Sequence, residues 1–118
     1  FIKKQIRLDF KKGSSSLDLF KLGYLKDGIY TVRLINVDNI DILPGDGLPS
    51  LEINSQSLIP GTNDLYQGVV RFFKNNQVNG RYSNRIIAPM LIDDKNPMLK
   101  VLNATFSGTL VLWVTGLK

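Results

Sequence analysis

Seven residues between positions 71 and 85 offer the most concrete chemistry in this sequence. Arg71, Phe72, Phe73 and Lys74 lead across an Asn-rich turn to Arg81, Tyr82 and Arg85. If the two runs return on each other as a hairpin, alternate positions present guanidinium groups and rings on one face. Cations neutralise phosphates and rings stack on bases, the recipe for holding a single nucleic-acid strand. Such a face would use Arg71, Phe73, Arg81, Tyr82 and Arg85. The plainer expectation is that one phenylalanine packs inward while the arginines keep the other side wet.

Oxygen donors come next. Asp38, Asp41 and Asp46, with Asn36 and Asn39 beside them, are the ligand types calcium takes. Their spacing lacks the every-second-residue recurrence of an EF-hand loop, and aspartates at turns commonly bond their own backbone. The turn reading is stronger still for Asp93-Asp94, which Lys95 follows directly. Glycoside hydrolysis would need two acids across a cleft. Glu52 is the one glutamate, and nothing in the pattern pairs it with Asp64. Histidine and cysteine are both absent, which removes the familiar Ser–His triads and thiolate metal sites. No G-x-S-x-G elbow, phosphate-binding glycine loop or zinc spacing occurs. A non-enzymatic protein without cofactor or metal is the expectation.

Exposed rings are the remaining candidates. The residues Ala104 to Gly116 alternate with a period of two: Phe106, Leu110, Leu112 and Val114 share one side. Thr105, Ser107, Thr109, Val111, Trp113 and Thr115 share the other, so Val111 and Trp113, the single tryptophan, are expected to face outward as a partner contact. Tyr24, Tyr66, Tyr82 or Trp113 would alternatively serve as a stacking platform for a sugar, with loop Asp and Asn residues around it. Asn103-Ala104-Thr105 matches the N-glycosylation acceptor pattern.

These residues need elements to hold them. A chain of 118 residues with 43% apolar residues and 21% charged is one ordinary globular domain. No apolar run approaches the roughly 18 residues of a membrane span. The chain opens on Phe1, and its longest apolar-rich stretch is C-terminal and broken by Thr109, so no signal peptide is expected within it. Net charge is +5, and Lys3, Lys4, Arg7, Lys11 and Lys12 against Asp9 place +4 of it in the first twelve residues. That basic segment suits acidic partners.

Ile6, Leu8 and Phe10 alternate with polar residues and predict a first strand, lysine-guarded as edge strands are. Gly13 to Ser16 reads as a turn or linker, and Leu17 to Leu22 as extended. Lys26-Asp27-Gly28 reads as a tight turn before a strong strand, Ile29 to Val37, with a further extended path from Asn39 to Leu43 after a bend or bulge. Within that strand Tyr30, Val32 and Leu34 fall on one face and Arg33, Ile35 and Val37 on the other. The stretch from Asp38 to Asp64 is the least patterned, with Pro44 to Pro49 a loop and Leu51 to Ile53 a short strand. Leu65 to Lys74 favours a strand with a bulge at Gly68, a helix being the alternative. Asn79-Gly80 is the best hairpin turn, with Arg81 to Ala88 as the returning strand, ended at Pro89. Met98 to Leu102 and the terminal strand follow. Seven to eight short strands with few tight hairpins predict an all-β fold: a small antiparallel sandwich or jelly roll from residue 6 to 118, entered by a basic arm over residues 1–12.

In overall character from Ile6 to Val114, the chain resembles the small single jelly-roll proteins of virus particles, such as vertex or minor capsid proteins of tailless phages. The resemblance implies an assembly role in a virion: self-association through sheet faces and edges, with loops touching neighbouring structural proteins. It implies Lys3, Lys4, Arg7, Lys11 and Lys12 as a tether, with Trp113 and Val111 in a packed contact. A single-stranded nucleic-acid-binding barrel and a carbohydrate-binding sandwich are the rival readings.

Overall fold

Alternating apolar and polar residues can bury one face only by pairing into sheets that stack, and this chain does so twice. The computed structural model describes residues 3–45, 47–73, 77–78, 81–82 and 85–116, of which residues 3, 73, 77–78, 81–82 and 87–89 are described in their backbone alone. Among the described residues there are ten strands and no helix. They are β1 (Lys3–Phe10), β2 (Gly13–Asp18), β3 (Ile29–Asp41), β4 (Ser50–Leu58) and β5 (Leu65–Phe73), followed by β6 (Gln77–Val78), β7 (Arg81–Tyr82), β8 (Arg85–Asp93), β9 (Met98–Ala104) and β10 (Ser107–Gly116).

One sheet has the order β1-β10-β3-β8 and the other β2-β9-β4-β5, all pairs antiparallel, with β6-β7 a separate small hairpin. Leaving the small hairpin aside, first pairs with last, second with second-last, and so inward to β4 with β5. That is the winding of a jelly roll. Phe10 pairs with Gly108, Asp41 with Ser107 and Ser50 with Phe73, so the β1–β2, β3–β4 and β9–β10 connections share one end of the sandwich. The β2–β3, β4–β5 and β8–β9 connections lie at the opposite end.

The core is what the alternation supplies: Ile6, Leu8 and Phe10 from β1, Leu110, Leu112 and Val114 from β10, and Leu51, Ile53, Leu99 and Val101 from the facing sheet, all buried. β1 is an edge strand, as its lysines foretell. In β3 the inward set is Tyr30 and Val32, then Ile35 and Val37. A register shift between Val32 and Leu34 moves the alternation by one residue. Leu34 therefore leaves the face it was expected to share with Val32, and Ile35 and Val37 join the core. Opposite that shift β8 carries Ala88 and Pro89 against the one residue Arg33. Pro89 thus sits where the ladder is already broken and does not end the strand.

A second irregularity lies at the other end of β3, where Asn39 takes φ +53° and Gly108 of β10 lies opposite. A Cβ on Gly108 would come within 2.9 Å of the Asp38 carbonyl oxygen, so only glycine lets the bulged backbone approach. The bulge expected after Val37 is therefore present.

Four local expectations change. Gly13 to Ser16 is strand β2, because the β9 ladder satisfies its backbone. The extended path from Leu17 stops at Asp18, whose Oδ1 accepts from the backbone N–H of Phe20 (3.1 Å) and Lys21 (2.8 Å) and so opens a turn. The short strand at Leu51 runs on to Leu58 through polar residues, with Ser55 and Ser57 buried. β5 is a strand, yet Gly68 pairs with Ser55 in unbroken register and makes no bulge. The Asn79-Gly80 turn and Lys74 lie outside the described residues.

Candidate interaction surfaces

Trp113 stands on the outer side of the β1-β10-β3-β8 sheet, between Gln5 and Leu34 in register, and is 42% exposed. Leu34 and, nearer the end of the sheet, Leu91 are half-buried. Val111, expected beside Trp113 in water, is buried at 2% exposure. It stays outside the central hydrophobic cluster. Its cover comes from its own face. β10 is flanked on both sides, Val111 lying between Arg7 of β1 and Asn36 of β3. Arg7 reaches Asp38 of β3 at 3.8 Å, spanning β10 above it. Long polar side chains bury a small residue on an outer face by laying their stems across it. The exposed ring is thus Trp113 alone on this strand.

The basic segment is held in place as well. Residues 3 to 10 pair with β10 along their whole length, so they form an edge strand and not a free arm. Lys4 Nζ donates to the Tyr24 carbonyl. The Arg7–Asp38 pair is exposed on both sides and is worth a few tenths of a kcal/mol. Lys11 and Lys12 are exposed in the following turn. The side chain of Lys3 lies outside the described residues.

Arg71 and Arg85, two of the cations expected on one hairpin face, are parted, while Arg81 and Tyr82 lie on the small β6-β7 hairpin. β5 pairs with β4, setting Arg71 opposite Glu52, and its Nε donates to Glu52 Oε1 at 3.1 Å. β8 pairs with β3 in the other sheet, where Arg85 lies opposite Asn36. Arg71 and Arg85 therefore belong to different sheets. Phe72 packs inward at 3% exposure, as the plainer expectation had it. The side chains of Phe73, Arg81 and Tyr82 lie outside the described residues. Glu52 and Asp64 lie far apart, since Asp64 follows the opposite end of β4, about 20 Å along the strand by its rise per residue.

Asp9, Asp38 and Asp93 are taken up by the fold itself. Asp38 is taken up by Arg7, while Asn36 lies opposite Val111 in the ladder and Asp41 is exposed. Asn39 Nδ2 donates to Thr109 Oγ1, whose hydroxyl donates to Asp9 Oδ1. Asp46 lies outside the described residues. Among the described residues no three acidic side chains gather at one point. Asp93 is buried at 3% exposure and uses both oxygens. Oδ2 accepts from Leu58 N (2.8 Å) and Ser57 Oγ (3.1 Å), and Oδ1 from the N–H of Lys95 (3.0 Å) and Asn96 (2.6 Å) and from Asn96 Nδ2 (3.0 Å). Burial alone would raise its pKa. The bonds from Leu58, Asn96 and Ser57 together outweigh burial and hold the carboxyl below its ordinary value. Asp94 beside it is exposed.

Thr105, third residue of the glycosylation pattern, has its hydroxyl engaged. Oγ1 accepts from Ser50 N at 2.9 Å and donates toward the carbonyls of Leu48 and Ser50. That clasp ties the β9–β10 turn to the start of β4. Thr105→Val leaves Ser50 N without its acceptor and should cost about 1–2 kcal/mol in urea unfolding, with an unchanged m-value. A loss within error of zero would show that the clasp is dispensable. Of the candidate sugar platforms, Tyr24 is half-buried against the core with its hydroxyl 3.5 Å from the Arg7 carbonyl, and Tyr66 is half-buried.

One surface feature had no sequence signal. β9 pairs with β4 only from Asn54–Lys100 to Glu52–Leu102, while Met98 and Leu99 pair with β2. β4 continues to Leu58 with β5 as its one strand partner there. Where β4 and β9 part, a groove of about 310 Å³ opens. Its polar lining includes Asn54, Gln56, Gln67, Asn96, Lys95 and Lys100, with Ser55 beside them.

Among the described residues no helix is long and apolar enough to cross a membrane. No protein-family model, curated protein or solved structure matches this chain.

Proposed function

We propose that this chain is a non-enzymatic structural protein that assembles with copies of itself, and with other structural proteins, in a virion. The observation that carries the proposal is that, among the apolar side chains the fold leaves in water, two sets stand apart on the surface and could meet between copies. Trp113 is one. The other is the β3–β4 loop at the end of the sandwich, where Ile42 (43%), Leu43 (59%) and Leu48 (64%) are exposed together. Contiguous exposed apolar patches mark contact surfaces.

Area decides how the two are used. Four strands at about 4.8 Å spacing and eight residues at about 3.3 Å give a sheet face of about 500 Å², whereas a stable contact buries about 800 Å² per partner. The sheet face therefore needs a further apolar surface. Two different patches on one domain meet naturally head to tail, the Trp113 face of one copy against the β3–β4 loop of the next. Such a heterologous contact gives a ring when its rotation closes and a filament when it does not, and a ring is the form proposed here. Lys11 and Lys12 share the loop's end and give it a positive rim for acidic neighbours.

Light scattering on single variants tests this. Trp113→Ala and Leu48→Asp should each give monomer. Mixed together they should give a dimer and nothing larger, since each variant keeps the patch the other has lost. An oligomer that survives in both variants would overturn the proposal.

A further inference from the structure

The groove between β4 and β9 is a place where the sheet opens without another element closing it. Its far wall is the turn after β8, and Asp93 fixes that wall by bonding Lys95 and Asn96 on one side and β4 at Ser57 and Leu58 on the other. The groove is thus a built feature of the fold. Two of its lining residues carry polar atoms the fold does not use: Asn54 Oδ1 and Ser55 Oγ are buried and have no hydrogen-bond partner. A buried acceptor left without a partner costs stability unless something else supplies the donor.

The rest of the lining says what that donor belongs to. Side-chain amides of Gln56, Gln67 and Asn96 join Asn54, and amides both donate and accept, the combination that suits hydroxyl groups. Lys95 and Lys100 add two cations with no acidic partner among the described residues. Val69 (53% exposed) and Met98 (42%) give apolar edges against which ring C–H groups can rest. Among the described residues no aromatic ring lines the groove, so a nucleobase finds no ring there to stack on, and a neutral sugar no usual platform. The volume lies at the small end for ligand pockets and admits about one ring.

We infer that this groove binds a carboxylated pyranose, with the carboxylate toward Lys95 and Lys100 and a ring hydroxyl donating to Asn54 Oδ1 once that amide turns into the groove. This gives the domain a glycan contact on the sheet opposite to Trp113, independent of its assembly.

The test is an NMR titration of the full chain with trigalacturonate and with a sialyl-lactose, against a neutral trisaccharide and sodium sulfate. The expected result is saturable shifts of the Asn54, Gln56, Gln67 and Asn96 side-chain amides with one or both carboxylated sugars, weakening as salt is raised. Which of the two binds distinguishes a chain uronate from a terminal acidic sugar. Gln67→Ala and Lys100→Gln should each weaken binding about three- to fivefold, and Lys11→Gln at the far end should not. Asn54→Leu should lose about tenfold in affinity while the melting temperature holds or rises, because an unsatisfied buried oxygen leaves with it. A merely structural Asn54 would instead lower the melting temperature. Equal shifts with the neutral sugar, the same shifts with sulfate alone, or no shifts at all would each overturn the inference.

Discussion

Phe106→Ala should remove about 3–5 kcal/mol of stability, the cost typical of truncating a fully buried phenylalanine. Small domains hold about 5–15 kcal/mol in total, so the variant stands close to unfolding. The reason for so large an effect is position. Phe106 sits in the turn between β9 and β10, the strands that belong to opposite sheets, and is 1% exposed. Its ring meets Phe10 of β1 edge-on at 5.3 Å and Phe72 of β5 at 6.0 Å. One side chain therefore joins an edge strand of each sheet, and no neighbour is free to refill the space, since Phe10 and Phe72 are each fixed in a ladder. Phe106→Leu should cost less, about 1–2 kcal/mol, because most of the volume remains. Urea midpoints with unchanged m-values would give both numbers. A loss below about 1 kcal/mol for the alanine variant would contradict the role given to this ring.

Asp93→Ala should cost nearly as much, about 3–5 kcal/mol, for a different reason. Its removal strands the backbone N–H of Leu58 and the Ser57 hydroxyl inside the protein, where an unpaired group costs about 1–3 kcal/mol. It also frees the turn at Lys95 and Asn96, whose side-chain acceptor is lost while Asn96 N keeps the Asp93 carbonyl. Asp93→Asn keeps one acceptor oxygen and should recover part of the loss. The acid dependence follows from the lowered pKa. A carboxylate held below its unfolded value of about 3.9 contributes its full stabilisation above that pH and loses it as the pH falls through the folded value. The stability difference between the wild type and Asp93→Asn should therefore be constant near neutrality and shrink below about pH 4. A difference that stays level down to the acid limit would place the effect in shape and not in charge.

How far the sequence foretells this molecule depends on the range of the interaction. The alternation of Ile6, Leu8 and Phe10, and of Leu110, Leu112 and Val114, reads correctly because each strand keeps one phase throughout. β3 does not, and its change of phase near Arg33 shows locally only as apolar residues on both faces. β2 looks like a linker because serines bring no apolar signal, and only the distant β9 gives them a ladder. Arg71 and Arg85 look like partners because they are close in sequence, but the jelly-roll winding sends their strands to opposite sheets. Val111 reads as exposed because the pattern counts faces and cannot see that Arg7 and Asp38 come together across its strand. Trp113 reads correctly since its neighbour across the ladder, Gln5, does not cover it. Asp93 reads correctly as a turn residue, while its second role rests on Leu58, 35 positions away. The groove is invisible to pattern because it arises where β4 and β9 cease to pair.

Assembly is the central claim, and the solution mass of the wild-type domain, measured by light scattering over a range of concentrations at low and high salt, tests it most directly. A defined ring-sized oligomer, three or five copies for instance, that persists in high salt is the predicted result, because apolar contacts at Trp113 and the β3–β4 loop are not screened. A monomer at every concentration and salt would contradict self-assembly through these surfaces.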